Sequence, residues 1–231
     1  MRLKYYLNEG NNNILDTIKN ECKPFLNEFG NCYKDNMFIY RGMRDDYDDI
    51  IIKDVRTNRK PRLVTMKLHE YLSKIGKELF GWNIREEGVF AANKVTASKY
   101  GKPYIFIPIG SYKYVCINLN KSEIYSLYDR YDSYIVKGNL IEMGRNKKLK
   151  RKKWWLNSEE DNNIELQQII SILKKVETKI YDEYKNRYKK KGLDKLLKNN
   201  NRLEAIFKCK KYIAMTPKFF NENIKYIFEE L

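Results

Sequence analysis

Residues 88–101 read GVFAANKVTASKYG, and this stretch does most to decide the fold. Gly88–Ala92 predicts a strand with small side chains, and Thr96–Tyr100 predicts a short helix that Gly101 ends as a C-terminal cap. Such a strand and the tyrosine after it can form one wall of a flat pocket, with the ring stacked on an aromatic ligand. An ordinary strand–helix corner with Tyr100 in the core is the simpler alternative.

The segments on either side predict strands with helices among them, which indicates an α+β domain rather than a regular βαβ array. Further strands are expected at Phe38–Arg41, at Tyr104–Ile109 and Tyr112–Leu119 as a hairpin, at Tyr134–Met143 and at Glu204–Met215. Ile50–Ile52 could add another in an otherwise loop-like acidic stretch. Helices are expected over 14–29 with a break at Pro24, over 64–80 and 121–131, from Ser158 to about Gly192 as a long amphipathic helix, and after Thr216-Pro217.

Composition excludes several classes of protein. The chain has 231 residues, of which 42% are hydrophobic, so a wholly disordered chain is excluded. No apolar run approaches the roughly 20 residues of a membrane span, and the first residues lack the apolar stretch of a signal peptide. Four cysteines without a CxxC pair argue against a disulfide framework or a zinc ribbon, and a single histidine excludes an HExxH site. That residue, His69, is expected on the surface of a helix or half-buried in it.

The charge is strongly basic and unevenly distributed. The net charge is +16, and lysine outnumbers arginine 34 to 12, a ratio that is typical of the codon bias of an AT-rich genome. The sharpest feature is the run from Arg145 to Lys153, which ends at Trp154-Trp155. A basic run beside aromatics can hold phosphates and stack on bases, and a solvated loop is the alternative. The candidate nucleic-acid contacts are Lys147, Lys148, Lys150, Arg151, Lys152 and Lys153.

Two further segments could carry chemistry. Tyr40-Arg41-Gly42 ends a predicted strand, where an arginine can bind a carboxylate or pyrophosphate and a glycine lets a ligand approach the backbone. Glu204 enters an apolar and basic strand, where a carboxylate can stabilise a developing cation. The alternative for Glu204 is a solvated charge that pairs with Lys208 or Lys210.

Read together, these three segments resemble the ADP-ribosyltransferase superfamily. Arg41-Gly42 is similar to the start of the Arg-Ser-Glu class, residues 88–101 resemble the strand and nicotinamide-stacking tyrosine of poly(ADP-ribose) polymerases and viral transferases, and RLEAIFKCKKYIAM resembles the strand that brings in the catalytic glutamate. Phage-encoded members share an RKPR-like turn, here Arg59–Arg62, and a YG…IFIPIG…Y stretch. The resemblance spans about residues 38–215, except for residues 145–198.

The resemblance implies a split antiparallel β-sandwich of ADP-ribosyltransferase type, with peripheral helices and the long helix of the C-terminal half. It implies one domain over residues 1–231, with the basic loop and long helix of residues 145–198 inserted in it. NAD would be a co-substrate, and no metal would be needed. The protein is expected in the cytoplasm of a host cell or packaged in a virion.

The resemblance also implies a role for each candidate residue. The backbone of Gly42 would bind the nicotinamide carboxamide, Tyr100 would stack on the ring, and Phe90 and Ala91 would lie on the strand beneath. Glu204 would stabilise the oxocarbenium-like transition state. Arg41 would hold the ribose and pyrophosphate, with Arg62 and Arg85 as further phosphate ligands.

The sequence departs from the family pattern at two places. Ala91-Ala92 stand where a Ser-Thr-Ser is usual, and Arg202 stands two positions before Glu204, where transferases that modify arginine commonly carry Glu or Gln. Glu142 is the competing catalytic carboxylate, because it also ends a predicted strand.

Two functions remain open from the sequence. The leading one is a virus-encoded mono-ADP-ribosyltransferase that transfers ADP-ribose from NAD to a protein or nucleic-acid acceptor and releases nicotinamide. The other is a non-enzymatic basic protein of the virion, associated with nucleic acid or with other virion proteins, on a degenerate transferase scaffold.

Overall fold

A computed structural model describes residues 9–45, 49–57, 64–145, 159–198 and 202–228, and within these ranges the chain is an α+β protein. Its elements are α1 (Glu9–Glu21), α2 (Lys23–Lys34), β1 (Tyr40–Met43), β2 (Ile50–Asp54), α3 (Met66–Phe80), β3 (Val89–Ala92), α4 (Lys94–Ser98), β4 (Lys102–Ile109), β5 (Lys113–Asn118), a 3₁₀ turn (Leu119–Lys121), α5 (Ile124–Arg145), α6 (Glu159–Arg187), α7 (Leu193–Lys198), β6 (Leu203–Lys208), β7 (Lys211–Met215) and α8 (Pro217–Phe228).

The chain divides into two compact units. The β unit comprises Met1–Arg59, Trp82–Lys121 and Lys189–Leu231 and contains the strands. The helical unit comprises Lys60–Gly81 and Ser122–Tyr188 and contains α3, α5 and α6. The candidate residues Arg41, Gly42, Phe90, Ala91, Tyr100 and Glu204 all belong to the β unit.

The β unit contains a seven-stranded antiparallel sheet in the order β2-β7-β4-β1-β3-β6-β5. The hairpin expected from β4 and β5 is wrong, because these strands are not neighbours. Each instead pairs with a strand from residues 203–215. β4 pairs with β7 from Ile109↔Lys211 onward, and β5 pairs with β6 from Lys113↔Lys208 onward. The single strand expected at Glu204–Met215 therefore becomes two, β6 and β7, which separate at Cys209-Lys210.

These pairings divide the sheet into two halves. One half is β2-β7-β4-β1 and the other is β3-β6-β5. Residues 102–118 and residues 203–215 each contribute one strand to both halves, and these strands pair with each other in each half. Between the halves, the register pairs of β1 and β3 in the described chain are limited to Tyr40 with Ala92. The two halves are joined because the chain runs from β4 into β5 and from β6 into β7. The strand pairing between the halves is limited to the one register pair of β1 and β3.

An aromatic core fills the β unit. Phe25, Phe29 and Tyr33 of α2 are buried, as their helical spacing indicates, and Phe106 and Phe207 place their ring centroids 4.9 Å apart. Burial of each such ring contributes about 1.5–3 kcal/mol, so this cluster fixes α2 against the sheet. The helix expected over 14–29 is two helices, α1 and α2, because the chain breaks at Cys22 just before Pro24.

The helical unit differs from expectation in one element. The strand expected at Tyr134–Met143 is wrong, because this stretch continues α5 to Arg145. Tyr131 and Ile135 are buried one helical turn apart, and Tyr131 donates a hydrogen bond to Glu177 of α6 at 3.1 Å. Packing against α6 therefore overrides the β propensity of the tyrosine, isoleucine and valine in this stretch.

The other helices of this unit follow the sequence. α3 begins after the capping residue Thr65 and ends at Gly81, whose φ of 79° is left-handed. α6 has 29 residues, which confirms a long helix in this region. His69 is 4% exposed, so it is buried in α3 rather than half-buried or on the surface. Across the described ranges, no helix is both long enough and apolar enough to cross a bilayer.

Candidate functional site

The corner between β3 and α4 places Tyr100. The side chain of Asn93 caps α4 by accepting a hydrogen bond from the Thr96 N–H at 2.9 Å. The helix ends at Ser98, two residues before the expected end, and the chain then turns through Gly101 with a φ of 138°. Tyr100 lies at this turn with 48% of its surface exposed, so it is not a core residue.

Two glycines fix this corner against β1. A Cβ on Gly42 would lie 2.2 Å from the Ala97 carbonyl oxygen and 3.0 Å from the Cβ of Tyr100. A Cβ on Gly101 would lie 2.1 Å from the Met43 carbonyl oxygen. Close backbone contact that only glycine permits therefore holds Tyr100 directly beside Gly42.

The backbone of Gly42 points towards the split between the two half-sheets. The Phe106 N–H donates to the carbonyl of Ile39 at 2.9 Å, one residue beyond the pair Tyr40↔Ile105 of the β1–β4 ladder. Because hydrogen-bonded and non-hydrogen-bonded pairs alternate in an antiparallel ladder, Gly42 is at a non-hydrogen-bonded position, opposite Pro103, which has no N–H. The N–H and C=O of Gly42 are thus directed away from β4, towards the side on which β3 lies.

Glu204 lies on the same face of the sheet as this corner. It is half-buried on β6, between Ala92 on β3 and Ile117 on β5. Residues directly opposite one another share a face, so the pairs Tyr40↔Ala92 and Ala92↔Glu204 place Tyr40 and Glu204 on one face. Gly42, two residues after Tyr40, presents its α-carbon to that face as well.

The charges of Glu204 and Arg85 both act on the Tyr100 hydroxyl. Burial raises the pKa of the Tyr100 hydroxyl above its ordinary value, the negative charge of Glu204 raises this pKa further, and the positive charge of Arg85 opposes the rise. Glu204 and Arg85, which come from separate segments, therefore both influence Tyr100. Neutral Tyr100 persists throughout the physiological pH range.

The sequence left open a solvated Glu204 that pairs with Lys208 or Lys210, and the structure gives Lys208 another partner. Lys208 forms an ion pair with Glu87. The other carboxylate oxygen of Glu87 accepts a hydrogen bond from the Asn83 N–H at 3.0 Å, which closes the loop before β3. Lys208 therefore stabilises the loop that carries Arg85.

Arg41 lies on the opposite face of β1 from Gly42. Its Nη1 donates to the Phe90 carbonyl at 2.6 Å, which bridges β1 and β3 beyond their single register pair. Its Nε is buried and has no hydrogen-bond partner among the described residues. Burial lowers the pKa of Arg41, and the neighbouring Tyr212 opposes the decrease. Arg41 thus joins the two half-sheets across the split.

The remaining candidates on β3 face in opposite directions. Phe90 is half-buried on the face of Ala92 and Glu204, and the Arg85 guanidinium lies over its ring with 5.0 Å to the centroid. Ala91 points to the other face, where it is buried in the aromatic core. The structure brings Phe90 into the site and leaves Ala91 out of it.

Several sequence candidates lie elsewhere. Glu142 is within helix α5 of the other unit and does not end a strand. Arg62 and the basic residues Lys147, Lys148, Lys150, Arg151, Lys152 and Lys153 lie outside the described residues. Sequence reasoning missed that Gly42 packs against α4 and Gly101 against β1, because no local signal indicates that these segments, more than 50 residues apart, lie together.

The site is built from side chains and backbone that can stack on a flat ring, bind an amide and stabilise a cation. Within the described ranges, no group of three or more His, Cys, Asp or Glu side chains is placed to hold a metal ion. Comparison with protein-family models, curated proteins and solved structures finds no significant match to this chain.

Proposed function

We propose that this protein is an NAD-dependent mono-ADP-ribosyltransferase, which transfers ADP-ribose to a protein or nucleic-acid acceptor and releases nicotinamide. One observation carries the proposal: Gly42, Tyr100 and Glu204, far apart in the chain, meet on one face of the sheet beside the β1–β3 split. The resemblance of the three segments to the ADP-ribosyltransferase superfamily supplies the chemistry. The virus-encoded origin is proposed on that resemblance alone.

The fold is compatible with this activity. A split antiparallel sandwich, in which the nicotinamide end of NAD enters between two half-sheets, needs strands that separate at the site. The limited pairing of β1 with β3 supports such a split. The backbone of Gly42, directed towards this split, would pair with the carboxamide of the nicotinamide.

The proposed reaction breaks the bond between the ribose C1′ and the nicotinamide nitrogen. Nicotinamide leaves with the electron pair, which neutralises its ring, and positive charge develops on the ribosyl group. The Glu204 carboxylate stabilises this charge, and Tyr100 holds the leaving ring by stacking. A nucleophile of the acceptor then bonds to C1′ and loses its proton to solvent.

Hydrolysis of NAD provides the test, because water serves as an acceptor when the true one is unknown. Glu204→Gln should lower the rate of nicotinamide release by about 100-fold or more, as loss of one charge-stabilising group does. The matched control is Glu222→Gln, an exposed change on α8, which should leave the rate unchanged.

Both variants should unfold at the temperature of the wild type, as measured by circular dichroism. Equal rates in the wild type and Glu204→Gln would contradict the assignment of Glu204. No binding of NAD to the folded wild type at millimolar concentration, measured by isothermal titration, would contradict the proposed function as a whole.

A further inference from the structure

The two outer strands of the sheet differ in whether their free edge is covered. β5 is one of them, and in its middle the N–H and the C=O of Cys116 both bond to Lys189, each at 2.9 Å. β2 is the other, and within the described ranges no strand or bridge lies on its side away from β7. The sheet therefore has one protected edge and one open edge.

Hydrogen bonds at both ends of β2 show which of its residues bond to β7. The Thr216 N–H donates to the Asp49 carbonyl at 2.8 Å, and the Val55 N–H donates to the Lys210 carbonyl at 2.9 Å. Hydrogen-bonded positions alternate along an antiparallel pair. The odd-numbered residues from Asp49 to Val55 therefore bond to β7.

The even-numbered residues of β2 direct their backbone away from β7. These residues are Ile50, Ile52 and Asp54, and among the residues that the structure describes their N–H and C=O groups have no partner. β2 contains no proline, and its five residues pair with β7 without a bulge, so it lacks two common protections of an edge strand. Ile51 and Ile52 are only half-buried, on opposite faces, and a strand added here would cover both.

The sequence of β2 fits a second copy of itself in the antiparallel direction. With Ile52 of both copies on a two-fold axis, Ile50 of each copy lies opposite Asp54 of the other. The outward residues then face one another, and their N–H groups, three from each copy, form six hydrogen bonds. Lys53 lies opposite Ile51, so no like charges are directly opposed.

The charges on either side of β2 also favour this arrangement. In the sequence, acidic residues precede the strand and basic residues follow it: Asp45, Asp46, Asp48 and Asp49 before, Arg56, Arg59 and Lys60 after. In an antiparallel pair the start of each strand lies beside the end of the other. Asp49, which is exposed, then comes within one residue of the exposed Arg56 of the second copy. Opposite charges thus meet at both ends, whereas parallel pairing would oppose like charges.

We propose that β2 is a dimerisation edge, at which two copies of this chain pair their β2 strands antiparallel about a two-fold axis at Ile52. The two copies of the half-sheet β2-β7-β4-β1 form one continuous sheet. The assembly stops at two chains, because the pairing is isologous and the β5 edge is covered. β7 and β4 separate β2 from β1, so dimerisation is independent of the candidate site and of the proposed function.

Sedimentation velocity on the full chain, between about 1 and 100 μM, should show a monomer–dimer equilibrium. Six hydrogen bonds and a few half-buried side chains make a small interface, so we expect a dissociation constant in the micromolar range. Added salt should raise this constant, because it screens the charges at the two ends of the strand.

Ile52→Pro removes a central donor from both copies and leaves the β2–β7 ladder intact, since the N–H of Ile52 is directed outwards. It should raise the dissociation constant by about 100-fold or more. Ile52→Lys places two like charges at the axis and should have a similar effect. The matched control is Val136→Lys, which makes the same kind of change at an exposed apolar residue of α5 and should dimerise like the wild type.

A charge exchange tests the direction of pairing in a strand whose core residues are unchanged. Asp49→Lys and Arg56→Glu should each raise the dissociation constant by about 10-fold, because each places like charges at both ends of the pair. The double variant exchanges the two charges and should restore dimerisation. Circular dichroism of every variant measures whether it folds.

Four results would overturn the proposal. These are a wild type that stays monomeric at every concentration, a dimer that Val136→Lys dissociates and Ile52→Lys does not, assemblies that grow beyond two chains, and a double charge variant that is folded and no better at dimerisation than the single ones. Loss of dimerisation in both Ile52 variants, together with its recovery in the double charge variant, would establish β2 as the interface.

Discussion

At the scale of single residues, both the missing side chain and the backbone direction of Gly42 matter. Its missing side chain admits the Ala97 carbonyl and Tyr100, and its backbone is directed towards the β1–β3 split. The sequence predicts ligand approach to this backbone, since a glycine follows a strand-end arginine, and that role stays a prediction. It could not predict the packing at the missing side chain, because the approach of α4 depends on contacts between segments more than 50 residues apart.

Gly42→Ala tests the packing role. Its Cβ would lie 2.2 Å from the Ala97 carbonyl oxygen, so α4 must move. We expect a loss of about 1–3 kcal/mol in the free energy of unfolding, as overpacking usually causes, together with loss of nicotinamide binding as Tyr100 shifts. Urea unfolding and ligand-observed NMR measure the two effects.

The matched control is Gly138→Ala in helix α5. There the nearest atom, Cγ2 of Ile169, is at an ordinary contact distance of 3.7 Å. Alanine should stabilise this helix by up to about 1 kcal/mol, since glycine is the poorer helix former. A stable Gly42→Ala variant with unchanged nicotinamide binding would show that α4 does not lie as described.

At the scale of elements, the sequence predicted local structure better than pairing. Helix α3 with its terminal glycine, strand β3 and helix α8 after Thr216-Pro217 are all confirmed. These elements carry their signals within a few residues, as caps, breakers and apolar spacing. The β4–β5 hairpin was wrong because the partners of both strands lie about 100 residues later, where no local pattern can indicate them.

Helix α3 provides a test of one such local signal. Thr65 caps it by accepting a hydrogen bond from the Leu68 N–H, and its own hydroxyl donates to Asp132 of α5 at 2.6 Å. Thr65→Ala removes both contacts and should lower the free energy of unfolding by about 1–2 kcal/mol. Thr65→Ser keeps the hydroxyl and should retain most of this free energy of unfolding. Chemical denaturation of the two variants makes the comparison, and equal loss in both would contradict the capping role.

At the scale of the whole molecule, buried hydroxyl and thiol groups determine how stability depends on pH. Burial raises the pKa of Tyr33 well above its ordinary value and that of Cys116 to about 12, and it raises that of Tyr71 to about 12. The unfolded chain releases these protons first, near pH 9 for thiols and pH 10 for tyrosines. Their contribution to stability is therefore complete below about pH 9 and is lost as the pH rises towards 12.

We expect the urea midpoint to be insensitive to these groups between pH 7 and 9 and to fall steadily above pH 10. Absorbance at 295 nm, which reports tyrosinate, should rise in two steps, with exposed tyrosines first and buried ones only as the protein unfolds. A single step complete before unfolding would show that Tyr33 and its buried neighbours are not shielded as described. The chain has 19 tyrosines, so the signal is large.

The position of residues 203–215 in both half-sheets has a consequence for folding during translation. β6 lies between β3 and β5, and β7 lies between β2 and β4, so residues 203–215 supply an inner strand to both half-sheets. Until residues 203–215 have been synthesised, the four strands β2, β3, β4 and β5 lack that partner and expose their edges. Contacts of such large sequence separation form slowly. The β unit therefore completes its sheet only after residues 203–215 have been translated, whatever the order in which its earlier elements form.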